Sequence, residues 1–129
     1  MNKKKVDIRH LLKVRKRYEY EPEFNLFAIV KEVKQLYEAV CTIGLEKVDV
    51  CYEENGKMEV KKASEISPYY RAIAVVIMYL EGFELKRLEK IFGLPKEKGI
   101  TFVFDEAHMT FIKEAYSVKD FFDSCFVKI

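Results

Sequence analysis

The sequence predicts an α+β fold in a single domain, and three observations lead to that prediction. Apolar residues recur with helical spacing between residues 23 and 43, an Asn-Gly pair separates two strand-like runs, and a long apolar stretch follows Ser67. A chain of 129 residues, half of them hydrophobic, is long enough to bury one core. We therefore expect a central buried helix within a helical layer that packs on two β-hairpins.

The N-terminal segment is treated separately from the rest of the chain. We divide the sequence into a basic arm over residues 1–22 and one α+β domain over residues 23–129. Within the arm, Asp7 can cap a short helix that extends to Tyr18, because an aspartate side chain accepts hydrogen bonds from the first free N–H groups of a helix. A helix of this length needs packing to be stable.

The next segment, residues 23–43, has a strong helical pattern. Its apolar residues recur at three- and four-residue steps, and charged residues lie between them. Gly44, followed by Leu45, is typical of a helix C-terminus with its hydrophobic contact. The apolar positions are Leu26, Ile29, Val30, Val33, Leu36, Tyr37 and Val40.

A β-hairpin is predicted over residues 47–62, with its turn at Asn55-Gly56. A two-residue loop would scatter the apolar side chains over both faces of the hairpin. A three-residue loop instead places Val50 opposite Val60 and gathers the apolar side chains on one buried face, so we predict this second register. The side chains gathered in this way are Val48, Val50, Tyr52, Met58 and Val60.

The apolar stretch after Ser67 predicts the helix around which the rest of the chain packs. Ser67 can cap its N-terminus, Pro68 suits the first helical position, and Gly82 suits the residue after its C-terminus. Between these signals the sequence is apolar on every side, which is typical of a buried helix. Its run of about nine apolar residues is shorter than the roughly twenty that a bilayer requires. A shorter helix is expected from Glu84 to Phe92.

The C-terminal part is predicted to add a second hairpin and a last helix. Residues 100–104 and 109–112 are apolar runs joined by a polar turn, and both faces of this strand pair are largely apolar. Ser117 with Asp120 resembles a capping box, which marks the start of a helix. That helix is expected to bury Val118, Phe121, Phe122 and Cys125.

The first hairpin also offers one catalytic constellation. In the predicted register Asp49 lies opposite Lys61, with Glu59 as their neighbour on the same face. The pattern Asp…Glu-x-Lys between two helices resembles the core of the PD-(D/E)xK nuclease superfamily. The resemblance implies that the two carboxylates bind Mg²⁺ and that Lys61 helps to position or activate the attacking water. The alternative is an ordinary cross-strand ion pair on a solvent-facing sheet.

The leading functional prediction rests on the basic arm. Residues 1–17 hold eight basic side chains against one acidic side chain, a net +7, so with +2 overall residues 18–129 carry −5. This asymmetry is typical of proteins that contact nucleic-acid phosphates, and the alternative is a solubilising segment. We expect a non-catalytic protein that binds DNA or RNA without metal or cofactor. The basic residues are Lys3, Lys4, Lys5, Arg9, Lys13, Arg15, Lys16 and Arg17.

Two other functional classes stay open at this point. A nuclease would use Mg²⁺, whereas a structural or regulatory subunit of a viral or defence assembly would need no ligand of its own. A homodimer or a larger protein assembly is compatible with the sequence, and no membrane partner is expected.

Composition predicts the environment in which the protein works. Three cysteines without a C-x-x-C spacing favour reduced thiols in the cytoplasm, and no secretory signal pattern is readable. Lys and Glu are abundant while Gln occurs once and Asn three times, a composition that resembles the proteins of high-temperature organisms.

Overall fold

A computed structural model describes residues 3–14, 25–94 and 106–125. The described residues form six helices and a three-stranded sheet, which confirms the predicted α+β class. The strands are β1 (Lys4–Asp7), β2 (Val48–Glu54) and β3 (Lys57–Lys62). The helices are α1 (Arg9–Leu12), α2 (Leu26–Ile43), α3 (Pro68–Leu80), α4 (Leu85–Ile91), α5 (Glu106–Glu114) and α6 (Val118–Cys125).

The sheet has the order β1-β2-β3 and is mixed, because β1 runs parallel to β2 and β3 runs antiparallel to it. Val6 of β1 pairs with Val50 of β2, and both side chains are buried. Helix α2 contacts β1 and β2 on one side and α3 on another, so it lies between the sheet and the central helix. We call the side of the sheet that faces away from α2 its open face.

Helix α2 agrees with the predicted helical pattern over residues 26–43. Its N-terminus is capped by Asn25, whose Oδ1 accepts a hydrogen bond from the N–H of Ala28 at 2.9 Å. Gly44 ends the helix with a φ of +86°, a conformation that favours glycine over residues with a side chain. The predicted start at residue 23 lies outside the described residues.

Helix α3 is the predicted central helix. The Oγ of Ser67 accepts a hydrogen bond from the N–H of Tyr69 at 3.2 Å, and Pro68 occupies the first helical position. The seven consecutive residues from 72 to 78 are all buried, because α2 packs on one side of this helix and α4 on another. No helix in the described part of the chain combines the length and the apolar character that a membrane crossing requires.

The first hairpin forms, but its predicted register is wrong. Only Asn55 and Gly56 join β2 to β3, with φ values of +53° and +78°, so Cys51 lies opposite Val60. Positive φ at both central positions is the type I′ turn, whose twist matches that of the flanking strands. All six residues of β3 are exposed, so burial of its apolar side chains does not determine the register.

The prediction of a second hairpin is also wrong, because its second strand, residues 109–112, is helical. Residues 109–112 belong to helix α5, and residues 100–104 lie outside the described residues. Ile112 is buried, Phe111 packs against the core, and His108 and Ala115 are half-buried, which is helical rather than alternating spacing. Helix α6 agrees with its prediction, since the Oγ of Ser117 accepts a hydrogen bond from the N–H of Asp120.

The N-terminal segment differs from the predicted helix that starts at Asp7. Residues 4–7 form β1, and the single-turn helix α1 follows it. Ile8, Leu11 and Val14 are buried in the main core. The segment therefore packs as part of the fold, although its predicted end at Tyr18 lies outside the described residues.

A half-buried arginine joins the start of α3 to the end of α4. The Nε of Arg71 donates to the carbonyl of Ile66 at 3.0 Å, and its Nη1 donates to the carbonyls of Phe92 at 2.8 Å and Gly93 at 3.2 Å. Burial lowers the pKa of this guanidinium. Because the last carbonyls of a helix have no partner within it, Arg71 satisfies groups that would otherwise be unpaired.

Replacement of this arginine should destabilise the fold strongly. Arg71→Leu leaves three carbonyls without their donor, so we expect a loss of about 2 to 4 kcal/mol in the free energy of unfolding. Arg87→Leu, on the exposed side of α4, is the matched control and should cost at most about 0.5 kcal/mol. Urea unfolding followed by circular dichroism measures both, and equal losses would contradict the role given to Arg71.

Candidate functional site

The candidate site begins with three consecutive lysines at the start of the described chain. Lys3, Lys4 and Lys5 are all exposed. Within the described residues, no ion pair joins any of them to a carboxylate. Because side chains alternate along a strand, Lys4 and Lys5 lie on opposite sides of β1. The edge of the sheet thus presents positive charge on both sides.

Strand β1 holds these lysines in a defined place. It pairs with β2 over four residues, and the N–H of Ile8 donates to the carbonyl of Cys51 at 3.0 Å just beyond the strand. In this register Lys5 lies beside Asp49, which in turn lies opposite Lys62. A row of alternating charge therefore crosses the open face of the sheet, while Lys3 and Lys4 lie beyond it.

A buried glutamate from α2 fixes the segment that follows β1. Glu32 is 8% exposed, and its Oε1 accepts a hydrogen bond from the N–H of Leu11 at 2.9 Å. Its Oε2 lies 3.3 Å from the N–H of His10 and 2.5 Å from the imidazole Nδ1 of the same residue. Since a carboxylate only accepts, Nδ1 carries the proton in this contact. The carboxylate thereby pairs two of the four free N–H groups at the α1 N-terminus.

Arg9 is partly neutralised by its own neighbour. The Nη2 of Arg9 contacts the Oδ2 of Asp7 at 2.8 Å, and the Oδ1 of Asp7 accepts from the N–H of Arg9 at 3.0 Å. The hydrogen bond from the Arg9 side chain is the main reason that the pKa of Asp7 is lowered, and the same bond raises the pKa of Arg9. Both side chains stay nearly half exposed, so the pair is a weak one.

The remaining predicted cations divide into two groups. The Nζ of Lys13 lies 3.8 Å from the Oε1 of Glu53 on β2, so its charge is partly compensated. Arg15, Lys16 and Arg17 lie outside the described residues. Of the eight predicted side chains, Lys3, Lys4 and Lys5 are therefore the described ones without a carboxylate partner.

The structure does not bring Asp49, Glu59 and Lys61 together. The partner of Asp49 across the hairpin is Lys62, whereas Lys61 lies opposite Val50 and Glu59 shares its face. Because Val50 points to the covered side of the sheet, Glu59 and Lys61 point to that side and Asp49 to the open face. The expectation that these three side chains converge is wrong, and its cause is the one-residue difference in register. Among the described residues no group of three or more His, Cys, Asp or Glu side chains could hold a metal ion.

Sequence reasoning missed the contact between Glu32 and His10, although the spacing of Glu32 carries a signal for it. Glu32 lies three residues after Ile29 and four before Leu36, which places it on the buried stripe of α2 rather than on its solvent side. A carboxylate at such a position requires hydrogen-bond donors, and the nearby His10 is one of them. The spacing thus pointed to a buried acceptor, while its partner came from a segment predicted to be separate.

Comparison of the chain with protein-family models, with curated proteins and with solved structures finds no match.

The Glu32 contact predicts a large effect on stability. Glu32→Ala leaves the N–H groups of His10 and Leu11 without their acceptor, and we expect the free energy of unfolding to fall by about 2 to 4 kcal/mol. Glu38→Ala, on the exposed side of the same helix, should change it by at most about 0.5 kcal/mol. Urea unfolding of both variants tests this difference, and a Glu32→Ala protein as stable as the control would refute the contact.

The Asp7–Arg9 pair predicts a small contribution that depends on pH. Because the folded state lowers the pKa of Asp7, the stabilisation is present above the ordinary value of 3.8 and is lost as the pH falls through the folded-state pKa. Asp7→Asn should therefore flatten the loss of stability below about pH 4, by a small amount because the pair is so exposed. Arg9→Gln should flatten it similarly. Urea unfolding over a pH series measures the stability of both variants. If both depend on pH in the same way as the wild type, the Asp7–Arg9 pair does not contribute as described.

Proposed function

We propose that this protein binds nucleic acid through the phosphate backbone, without catalysis. The observation that carries the proposal is the run of Lys3, Lys4 and Lys5, which are exposed and lack a carboxylate partner among the described residues. Lysine ammonium groups neutralise phosphates and release the counterions that these phosphates hold. Contacts of this kind carry little sequence information, so the proposed binding is largely independent of sequence.

The attachment of these lysines to the sheet supports the proposal. A cation on a disordered tail loses backbone freedom when it binds, whereas β1 and α1 are already held by β2 and by Glu32. Lys3 and Lys5 lie on one side of the segment and Lys4 on the other, so the edge can contact phosphates from two directions.

Charge elsewhere in the molecule limits how the protein can approach a phosphate chain. Residues 18–129 carry a net −5, which repels a polyanion from most of the body. The approach is therefore directed to the N-terminal edge, and binding should weaken steeply as salt increases.

A cytoplasmic location fits this function. Cys41 and Cys51 carry free thiols, and Cys41 is exposed, as expected in a reducing compartment. The nuclease alternative has no supporting observation of equal weight, because the described hairpin separates the three side chains on which it depends.

Removal of the three lysines tests the proposal. The triple variant Lys3→Ala, Lys4→Ala, Lys5→Ala should bind labelled DNA or RNA more weakly. The slope of log affinity against log salt should become shallower by about two to three units, since each phosphate contact contributes about 0.9 for a duplex and 0.7 for a single strand. Fluorescence anisotropy over a salt series measures both quantities. The matched control is Lys31→Ala, Lys86→Ala, Lys90→Ala, which removes the same charge from exposed positions on α2 and α4.

The control separates location from net charge. The control triple variant should keep most of the wild-type slope. If both variants bind nucleic acid equally weakly, the effect is explained by net charge alone. An unchanged affinity after loss of Lys3, Lys4 and Lys5 would contradict the proposal.

A further inference from the structure

Strand β3 forms an edge of the sheet that no described element covers. β2 is its one neighbour among the described strands, and all six of its side chains are exposed. Met58 and Val60, both apolar, are 61% and 53% exposed on the open face. An uncovered edge offers backbone N–H and C=O groups that another strand can pair with.

The hairpin geometry determines which backbone groups point outward. The two-residue turn pairs Glu54 directly with Lys57, and hydrogen-bonded pairs then alternate with non-bonded pairs along the ladder. Lys57, Glu59 and Lys61 therefore direct their N–H and C=O groups to β2, while the residues between them direct theirs outward.

Two independent contacts agree with this alternation. The carbonyl of Cys51 accepts from the N–H of Ile8, just beyond β1, so its backbone faces away from Val60, which lies opposite. The N–H of Lys62 donates to the Oε1 of Glu65 at 3.0 Å, so it does not point to β2. Glu65 also closes the free edge at this end, which leaves the outward groups of Met58 and Val60 available.

We propose that a second copy of this chain binds antiparallel along β3, with Val60 facing Val60 of the partner subunit across a twofold axis. The two Val60 residues then exchange two backbone hydrogen bonds with each other. The contact is isologous, as a twofold axis requires, and the open faces of the two sheets become continuous.

Charge selects this register over its neighbours. Pairing centred on Val60 places Glu59 opposite the partner subunit's Lys61, and the symmetry repeats that contact. A shift of one residue in either direction instead places Glu59 opposite Glu59 or Lys61 opposite Lys61, which is unfavourable for like charges. Lys62 is already near a carboxylate of its own chain, since its Nζ lies 3.7 Å from the Oε1 of Glu46.

Reversal of the charges on β3 tests both the contact and its register. Sedimentation velocity from micromolar to millimolar concentration should show a wild-type dimer that dissociates on dilution, because the shared strand is short. Glu59→Lys faces Lys61 of the partner twice and should weaken the dimer at least about tenfold. The double variant Glu59→Lys, Lys61→Glu restores opposite charges and should dimerise like the wild type. Glu38→Lys makes the same charge change on the exposed surface of α2 and should leave the dimer intact.

A cross-link tests the position of the twofold axis. In a chain whose three cysteines are replaced by serine, Val60→Cys should form an intermolecular disulfide, because facing bonded residues are about 5.5 Å apart at Cα. Met58→Cys is the control, since its copies would lie about 13 Å apart.

The possible results distinguish the account from its competitors. A wild-type chain that stays monomeric at every concentration overturns the dimer. Equal dimerisation of all the charge variants, or equal cross-linking at both positions, overturns the register. Thermal melts by circular dichroism establish that each variant is folded before its dimerisation or cross-linking is compared.

Discussion

The buried carboxylate of Glu32 is the contact on which the arrangement of the N-terminal segment depends. It is the one charged side chain that is buried in the described part of the chain, and it accepts hydrogen bonds from the N–H groups of His10 and Leu11 and from the His10 ring. A buried carboxylate is tolerated only when its oxygens are paired, so helix α2 and the segment after β1 stabilise each other. The contact joins residues 21 and 22 positions apart and holds β1 beside β2.

Because β1 is paired with β2, the basic N-terminus differs from a free charged tail. A charged tail would bring eight mobile cations, whereas β1 holds Lys4 and Lys5 at an edge of the sheet with their directions set by the strand. Arg9 and Lys13 are partly compensated by Asp7 and Glu53, so the free charge is concentrated at the beginning of the strand. The sheet then has two edges with different chemistry, one bearing the lysines that we propose bind phosphates and the other bearing the alternating charge of the proposed dimer contact. In the proposed dimer the two lysine edges would lie at opposite ends of a six-stranded sheet.

Local signals predict α2, α3, α4 and α6, and the differences elsewhere have physical causes. The caps of α3 and α6 are side-chain hydrogen bonds between close neighbours, at Ser67 and Ser117, so a short stretch of sequence specifies them. The hairpin register depended on the assumption that β3 is buried, which its exposure contradicts. The sequence of α5 predicts a strand because Met109 and Phe111 alternate with polar residues. This run is too short to show the helical period. The Glu32 contact and the pairing of β1 are tertiary, and no local pattern specifies a partner 22 residues or more away. The candidate lysines were found by composition alone, while their attachment to the sheet required the structure.

Native-state amide hydrogen exchange of the wild-type protein tests most directly whether the lysine-bearing segment belongs to the folded domain. The N–H of Ile8 donates to the carbonyl of Cys51, and the N–H of Leu11 donates to Glu32. If β1 and α1 are held as described, both amides should be protected from exchange. They should exchange through the same opening reaction as the amides of β2. Exchange of these two amides at the rate of an unfolded chain, while α3 stays protected, would contradict the account.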